Sequence, residues 1–242
     1  MRVLLTGMNG TVAPAMAAEL ERQGHTVIPW DRTTMPNGSL QQTEEVIRES
    51  RAEAVMHFAT GPVQWAEWIA QVCAESNLPH LHTSSVSVFG SHQKGPFSVE
   101  DIPEPDDDYG RYKLEGEQRV LAANPSAHVF RIGWQIGDAP GSNNMIDYFH
   151  REAKDGVLQV SRHWYPASSY LLDTARCLLS TLQGSPPGLY HVDANPGLSM
   201  VDIAAREASR LGLPWQIEPV DGLVRDHRMV DPRVEINRWE NP

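Results

Sequence analysis

The sequence predicts an α/β fold: a doubly wound parallel sheet followed by a smaller C-terminal lobe. Three observations carry this expectation. Short β-branched runs alternate with amphipathic helical segments through the first half, the rhythm of βαβ units. The first run ends in a glycine turn that opens a helix. After Gly133 the rhythm gives way to turn-rich and irregular stretches. With 242 residues and 40% hydrophobic content, the chain can bury one large α/β core plus a lobe.

The expected strands of the first half are RVLLT (2–6), HTVIPW (25–30), AEAVMHFA (52–59), HLHTSSVSVF (80–89) and HVFRIGW (128–134). Between them the apolar spacing predicts helices over 11–23, 42–50, 64–76 and 110–123. The second half reads as a turn (137–144), a helix over 145–154, a strand VLQV (157–160) and an irregular SRHWYPASS (161–169). A helix over 170–183, a strand GLYHV (188–192) and a helix over 199–211 follow, and the charged tail from Asp221 carries no clear pattern. The expected division is 1–137 and 138–242, with 165–192 returning to the main sheet.

Acidic residues number 31 against 20 basic ones, a net charge of −11. That balance disfavours nucleic acid or an anionic membrane surface as a partner. The N-terminus offers three apolar residues before a Thr-Gly turn, too few for a leader or a membrane span, so a cytoplasmic protein is expected. Cys73 and Cys177 fall in apolar helix-like stretches without ligand spacing and read as packing residues. His80 and His82 alternate along one strand and share a face, ordinary strand composition rather than a metal pair. No metal is expected.

In TGMNGTVA the residues Gly7, Met8, Asn9, Gly10, Thr11 and Val12 lie between strand and helix, with Ala13 in the third small position. Glycines there permit a tight turn and let backbone amides reach a pyrophosphate at the helix N-terminus. Asp31, ending the second strand 24 positions beyond Gly7, is placed to accept hydrogen bonds from an adenosine ribose. The neighbouring Arg32 could instead hold a 2′-phosphate. On balance NAD(H) is favoured over NADP(H).

The stretch YGRYK holds two of six tyrosines and one of three lysines. Residues four apart share a helix face, so Tyr109 and Lys113 can act together while Tyr112 points elsewhere. A phenol has an ordinary pKa of about 10 and needs a neighbouring cation to favour its phenolate. A carbonyl substrate also needs an orienting donor. Ser84, Ser85 and Ser87 end the fourth strand, with Ser85 and Ser87 on one face and Ser84 on the other.

Taken in order, TGMNGTVA, VMHFA, TSSVSVFG, YGRYK and FRIGW resemble the extended short-chain dehydrogenase/reductases, and within them the dTDP-4-dehydrorhamnose reductase branch, over residues 1–210. The resemblance implies a Rossmann fold, a smaller substrate-binding portion and a catalytic set of Ser85, Tyr109 and Lys113. Ser85 follows by counting four positions back from Phe89. Tyr109 would donate the proton to a carbonyl as hydride arrives, and Lys113 would bind the nicotinamide ribose and tune the phenol. Phe58, Ala59 and Thr60 would line the cofactor. Arg131 and Trp134 would flank the substrate, on which Trp164 and Tyr165 could stack, and Asp173 would begin the following helix. The implied partner is a small-molecule carbonyl, a sugar or nucleotide sugar; relatives often form homodimers.

Two departures stand out. Only 24 residues separate Ala59 from Ser84, so part of the family's substrate wall is missing, and Trp65 and Trp68 are candidates to replace it. The C-terminal region is also short. Alternatives are an epimerase or dehydratase with tightly held NAD, and a non-catalytic dinucleotide-binding regulatory subunit. The run Asp106, Asp107, Asp108 reads as a solvated first helical turn rather than extra acid/base groups.

Overall fold

The computed structural model describes residues 1–139 and 141–239; Pro140 and 240–242 of the expected C-terminal lobe lie outside the described residues. The first half runs β1 (Arg2–Leu5), α1 (Ala13–Arg22), β2 (Thr26–Pro29), α2 (Leu40–Ser50), β3 (Ala54–His57), α3 (Val63–Glu75), β4 (His80–Ser85), α4 (Asp108–Ala123) and β5 (His128–Ile132). The second half runs β6 (Trp134–Ile136), α5 (Met145–Glu152), β7 (Val157–Ser161), β8 (Trp164–Tyr165), β9 (Ser168–Tyr170), α6 (Leu171–Gly184), β10 (Gly188–Val192), α7 (Met200–Leu211), β11 (Gln216–Val220) and β12 (Arg225–Asp226).

Six strands form one parallel sheet in the order β10-β5-β4-β3-β1-β2. Parallel pairing requires crossover helices on the faces, and the inner strands β1 and β3 are accordingly apolar and buried. Val3 and Leu5 pack with Met16, Leu20 and Leu178 on one face, whereas Leu4 packs with Ile47, Trp65 and Ile69 on the other. A separate cluster around Phe149, Leu158, Ile203 and Trp239 forms a second core. The chain leaves β1 for β2 on one side and returns to β3 on the other. The carboxyl ends of β1 and β3 therefore bound a crevice at a topological switch point, where open α/β sheets take ligands.

The fourth strand is shorter than its apolar run predicts. Ser85 Oγ accepts from Ser87 N at 3.1 Å, and Val86–Val88 coil into a 3₁₀ turn. This local bond competes with the ladder, so Ser87 leaves the strand face it was expected to share with Ser85. The fifth run breaks at Gly133, where a Cβ would lie 2.4 Å from the backbone of Ala167. The tail is ordered by pairing: β11 with β7, β12 with β8, and a bridge from Phe97 to Met229.

Cys73 and Cys177 are buried, and burial pushes both thiols up to about 12, leaving them unreactive. His80 and His82 are buried on β4. No group of three or more metal-ligating side chains occurs among the described residues. None of the helices described is long and apolar enough to cross a membrane.

Candidate functional site

A cavity of about 1040 Å³ opens at the carboxyl ends of β1, β3, β4 and β5. It is lined by Gly7, Met8, Asn9, Gly10, Thr11 and Val12, by Asp31 and Arg32, and by Phe58, Ala59 and Thr60. Ser85, Tyr109, Lys113, Trp134 and Trp164 also stand on its wall. That volume lies at the upper end for ligand clefts.

The glycine turn is held against β3. Thr6 Oγ1 accepts from Phe58 N at 3.0 Å and from Ala59 N at 3.1 Å. Gly7 has φ +85°, and a Cβ there would sit 2.9 Å from the backbone of Phe58 and Ala59. Glycine alone satisfies both the left-handed backbone and this approach. At the start of α1 no side chain caps the helix and residues 7–13 line the cavity, so the first turn leaves backbone N–H groups, other than at Pro14, open to an anion. The cradle fits a pyrophosphate.

Across the cavity Asp31 Oδ1 accepts from Thr33 N at 2.9 Å and from Thr33 Oγ1 at 2.7 Å. These bonds hold its carboxyl below the usual value, so it is ionised at neutral pH. Arg32 lines the same cavity, donating to Thr60 O at 3.3 Å with its guanidinium 6.0 Å from the Trp65 ring. Trp65 is fully buried but its edge lines the cavity, while Trp68 packs into the core beside it.

Tyr109 is delivered by the start of α4. Asp107 caps the helix, accepting from Gly110 N at 2.6 Å, and Asp106 accepts from Ser91 N at 2.6 Å. Asp108 pairs with Arg111 at 2.7 Å, so Asp107 and Asp108 serve the helix start whereas Asp106 ties the preceding segment to Ser91. A Cβ on Gly110 would meet Ser87 O at 2.1 Å, so only glycine lets the helix press onto the 3₁₀ turn and bring Tyr109 to Ser85. Gly110→Ala is expected to cost about 1–3 kcal/mol by overpacking. Thermal unfolding should record this as a Tm drop of ~2–4 °C per kcal/mol. An unchanged Tm would mean that α4 is not seated in this way.

Tyr109 is 49% exposed and stands on the cavity wall. Partial burial raises its phenol above the ordinary value, a rise opposed by the side-chain hydrogen bond with Ser85. The expected lowering by Lys113 is therefore absent. The Lys113 Nζ lies 5.8 Å from the Tyr109 ring centroid and donates to Thr83 O at 3.0 Å, engaged with the backbone rather than the hydroxyl. Burial brings Lys113 down to about 8, with Glu117 pulling it back up. Tyr112 instead accepts from Gly61 N at 3.1 Å and anchors the loop after β3.

Two expected substrate residues lie outside the cavity wall. Arg131 is 3% exposed because its guanidinium is committed to Glu117, at 2.9 and 2.8 Å. Tyr165 stacks beneath the Arg228 guanidinium, 5.4 Å from the ring centroid. Asp173 opens α6 and faces Asn237. Trp134 and Trp164 do stack, with centroids 5.9 Å apart.

Sequence reasoning missed Gln135, Arg225 and His227, which line the same end of the cavity. Gln135 Oε1, Arg225 Nε, His227 Nε2, Trp164 Nε1 and Ser84 Oγ are buried there without hydrogen-bond partners in the described structure. Such orphaned polar groups are costly unless something else binds them. No local signal marks Arg225 and His227; the β12 to β8 pairing and the bridge from Phe97 to Met229 carry them to the site.

Residues 62–226 match the family described as the RmlD substrate binding domain. The dTDP-4-dehydrorhamnose reductase of Mycolicibacterium smegmatis (strain ATCC 700084 / mc(2)155) is 31% identical over an alignment of 220 positions that covers 82% of this chain and 65% of that protein. This chain thus spans less than two thirds of that relative's length. Among solved structures, the Bacillus anthracis str. Ames dTDP-4-dehydrorhamnose reductase in complex with NADP superposes with TM-score 0.81 at 20% identity, covering 95% of this chain and 90% of that one. The Thermotoga maritima UDP-glucose 4-epimerase with UDP-glucose gives 0.75 at 17% identity, covering 96% and 91%. Both share the Rossmann-like fold. With the match spanning well over half of its residues, the chain belongs to the RmlD substrate-binding-domain family of the extended short-chain dehydrogenase/reductases.

Proposed function

We propose that the protein is an NAD(H)-dependent reductase of a carbonyl on a sugar or nucleotide sugar. The observation that carries this reading is the meeting of Ser85, Tyr109 and Lys113 on the wall of the cavity that begins at the glycine turn. Residues 1–137 would hold the dinucleotide, on the cradle of 7–12 and α1, with Asp31 at the adenosine ribose and Phe58, Ala59 and Thr60 along its length. Residues 138–242 would supply most of the substrate side. The cofactor, when bound, supplies the hydride that reduces the carbonyl carbon.

This chain's residues do the rest. Ser85 orients the carbonyl oxygen by donating a hydrogen bond. Tyr109 gives that oxygen its phenolic proton, yielding the alcohol. Its raised pKa keeps the phenol protonated at neutral pH, the state a proton donor needs. Lys113 places a buried cation on this wall of the cavity, where it would meet the nicotinamide ribose. At the far end Arg225 and His227, with Gln135, offer unmet donors and acceptors for the polar part of the substrate, beside the Trp134 and Trp164 rings. Relatives named dTDP-4-dehydrorhamnose reductases support a keto group on a nucleotide sugar as the target.

The cofactor choice rests on Asp31. The carboxylate is ionised on the cavity wall, where it accepts ribose hydroxyls and repels a 2′-phosphate. NADH should bind more tightly than NADPH by titration, and Asp31→Asn should narrow the gap. An NADPH preference abolished by Arg32→Ala would transfer the role to Arg32. Turnover of the preferred cofactor with a nucleotide-linked ketosugar tests the activity; binding without oxidation across a panel of ketosugars and aldehydes would overturn it.

A further inference from the structure

Behind the cavity wall lies a buried ion pair, Glu117 with Arg131, that the chemistry above does not use. On α4, Lys113 and Glu117 are one turn apart and both buried, at 6% and 3% exposed. From β5, Arg131 grips the Glu117 carboxylate with two bonds, Nε to Oε1 at 2.9 Å and Nη2 to Oε2 at 2.8 Å. Arg131 is in turn seated by His191, whose Nε2 lies 3.3 Å from Nη1 and whose Nδ1 lies 3.1 Å from Phe97 O. One tautomer satisfies both contacts, donating to the carbonyl and accepting from the guanidinium. The Phe89 ring lies 5.1 Å from the guanidinium carbon.

A buried ion pair is a poor device for stability alone, because desolvation offsets its Coulomb gain. Its location suggests another use. The groups facing Lys113 are His57 from β3, His82 from β4, and Tyr109, Tyr112 and Glu117 from its own helix. Both imidazoles are neutral, since burial holds them well below their ordinary value. Burial raises the Tyr109 phenol, which stays protonated at neutral pH, and α3 sends its Glu67 to Arg119 instead. Glu117 lies one helical turn from Lys113, and Arg131 fixes the orientation of its carboxylate. We infer that Glu117, held by Arg131, is a positioning residue that keeps the Lys113 ammonium charged in its buried seat on the cavity wall. The role of Lys113 in catalysis rests on the proposed reductase reading; its charge state does not.

The structure makes the test direct, because only three lysines exist and Lys94 and Lys154 are exposed references. Lysine Cε NMR titration of ¹³C-labelled protein should give Lys113 a midpoint near 8 in the wild type. Glu117→Gln should lower the midpoint by about one unit or more, as expected for loss of a unit charge across one helical turn at an effective dielectric near 20. Arg131→Met should raise it, since Glu117 then acts on Lys113 alone. Removing one partner of a buried pair can unfold a protein, so the double variant Glu117→Gln/Arg131→Met serves as the folded control and should also show the lower midpoint. In turnover assays the alkaline limb of the kcat profile should follow the NMR midpoint through the series. A Lys113 midpoint unmoved in both Glu117→Gln and the double variant overturns the inference, as does a midpoint that moves the same way in Glu117→Gln and Arg131→Met. Midpoints that follow the charges in a protein that reduces no carbonyl sustain this pair and refute the reductase reading instead.

Discussion

Tyr109→Phe is expected to lower ketosugar turnover by about 10²–10⁴-fold, the usual contribution of a placed general acid. Dinucleotide affinity should be little changed. The substitution keeps the ring and removes one hydroxyl. That hydroxyl's side-chain partner is Ser85, and the ring is 49% exposed, so neither α4 nor the core depends on it. The glycine cradle and Asp31 sit at the other end of the cavity. Comparing kcat with the cofactor Kd separates the two effects: turnover falls while Kd holds. A variant with near-wild-type turnover on a verified substrate would show that another group delivers the proton.

Lys113→Met is expected to move activity and stability in opposite directions. Burial brings Lys113 from 10.5 to about 8, so the folded protein holds its proton less tightly than the unfolded chain. Between those values the unfolded state binds more protons, and stability rises with pH. Below about 8 the whole penalty of a buried ammonium is present, on the order of 3 kcal/mol at 1.36 kcal/mol per unit. Methionine fills a similar volume without charge. The orphaned Thr83 carbonyl takes back ~1 kcal/mol. The net gain at pH 7 is on the order of 2 kcal/mol, a rise in Tm of ~2–4 °C per kcal/mol that fades above the unfolded-state pKa. Turnover should collapse, because the cavity wall loses the cation that would meet the nicotinamide ribose. A lower Tm at pH 7 would mean that Lys113 is stabilising and its seat is not the desolvated one described.

The sheet and its helices were legible because their signals are local. Strands β1 and β3 are continuous apolar runs, α1 follows a glycine turn, and Gly7 must approach β3, which shows in sequence as a glycine where the strand ends. The same holds for the four-residue spacing from Tyr109 to Lys113. What failed depends on distant partners. Arg131 reads as a site residue until β5 lays it against Glu117 on α4. Tyr165 reads as a stacking platform until Arg228 covers it. Ser87 fits a strand pattern until Ser85 caps its amide. Strand β11 was missed because Pro219 and exposed polar residues hide its pairing with β7. Arg225 and His227 were invisible for the same reason: the tail has no periodicity of its own and is placed by β8 and by Phe97.

The most direct measurement is a crystal structure of the protein with its preferred dinucleotide bound. The expected density places the pyrophosphate on the backbone of residues 7–12 and the nicotinamide ring beside Ser85, with the Tyr109 hydroxyl and Ser85 Oγ both within hydrogen-bond reach of one point above the ring. A dinucleotide seated away from the glycine turn, or a Tyr109 hydroxyl turned out of the cavity, would contradict the proposed chemistry.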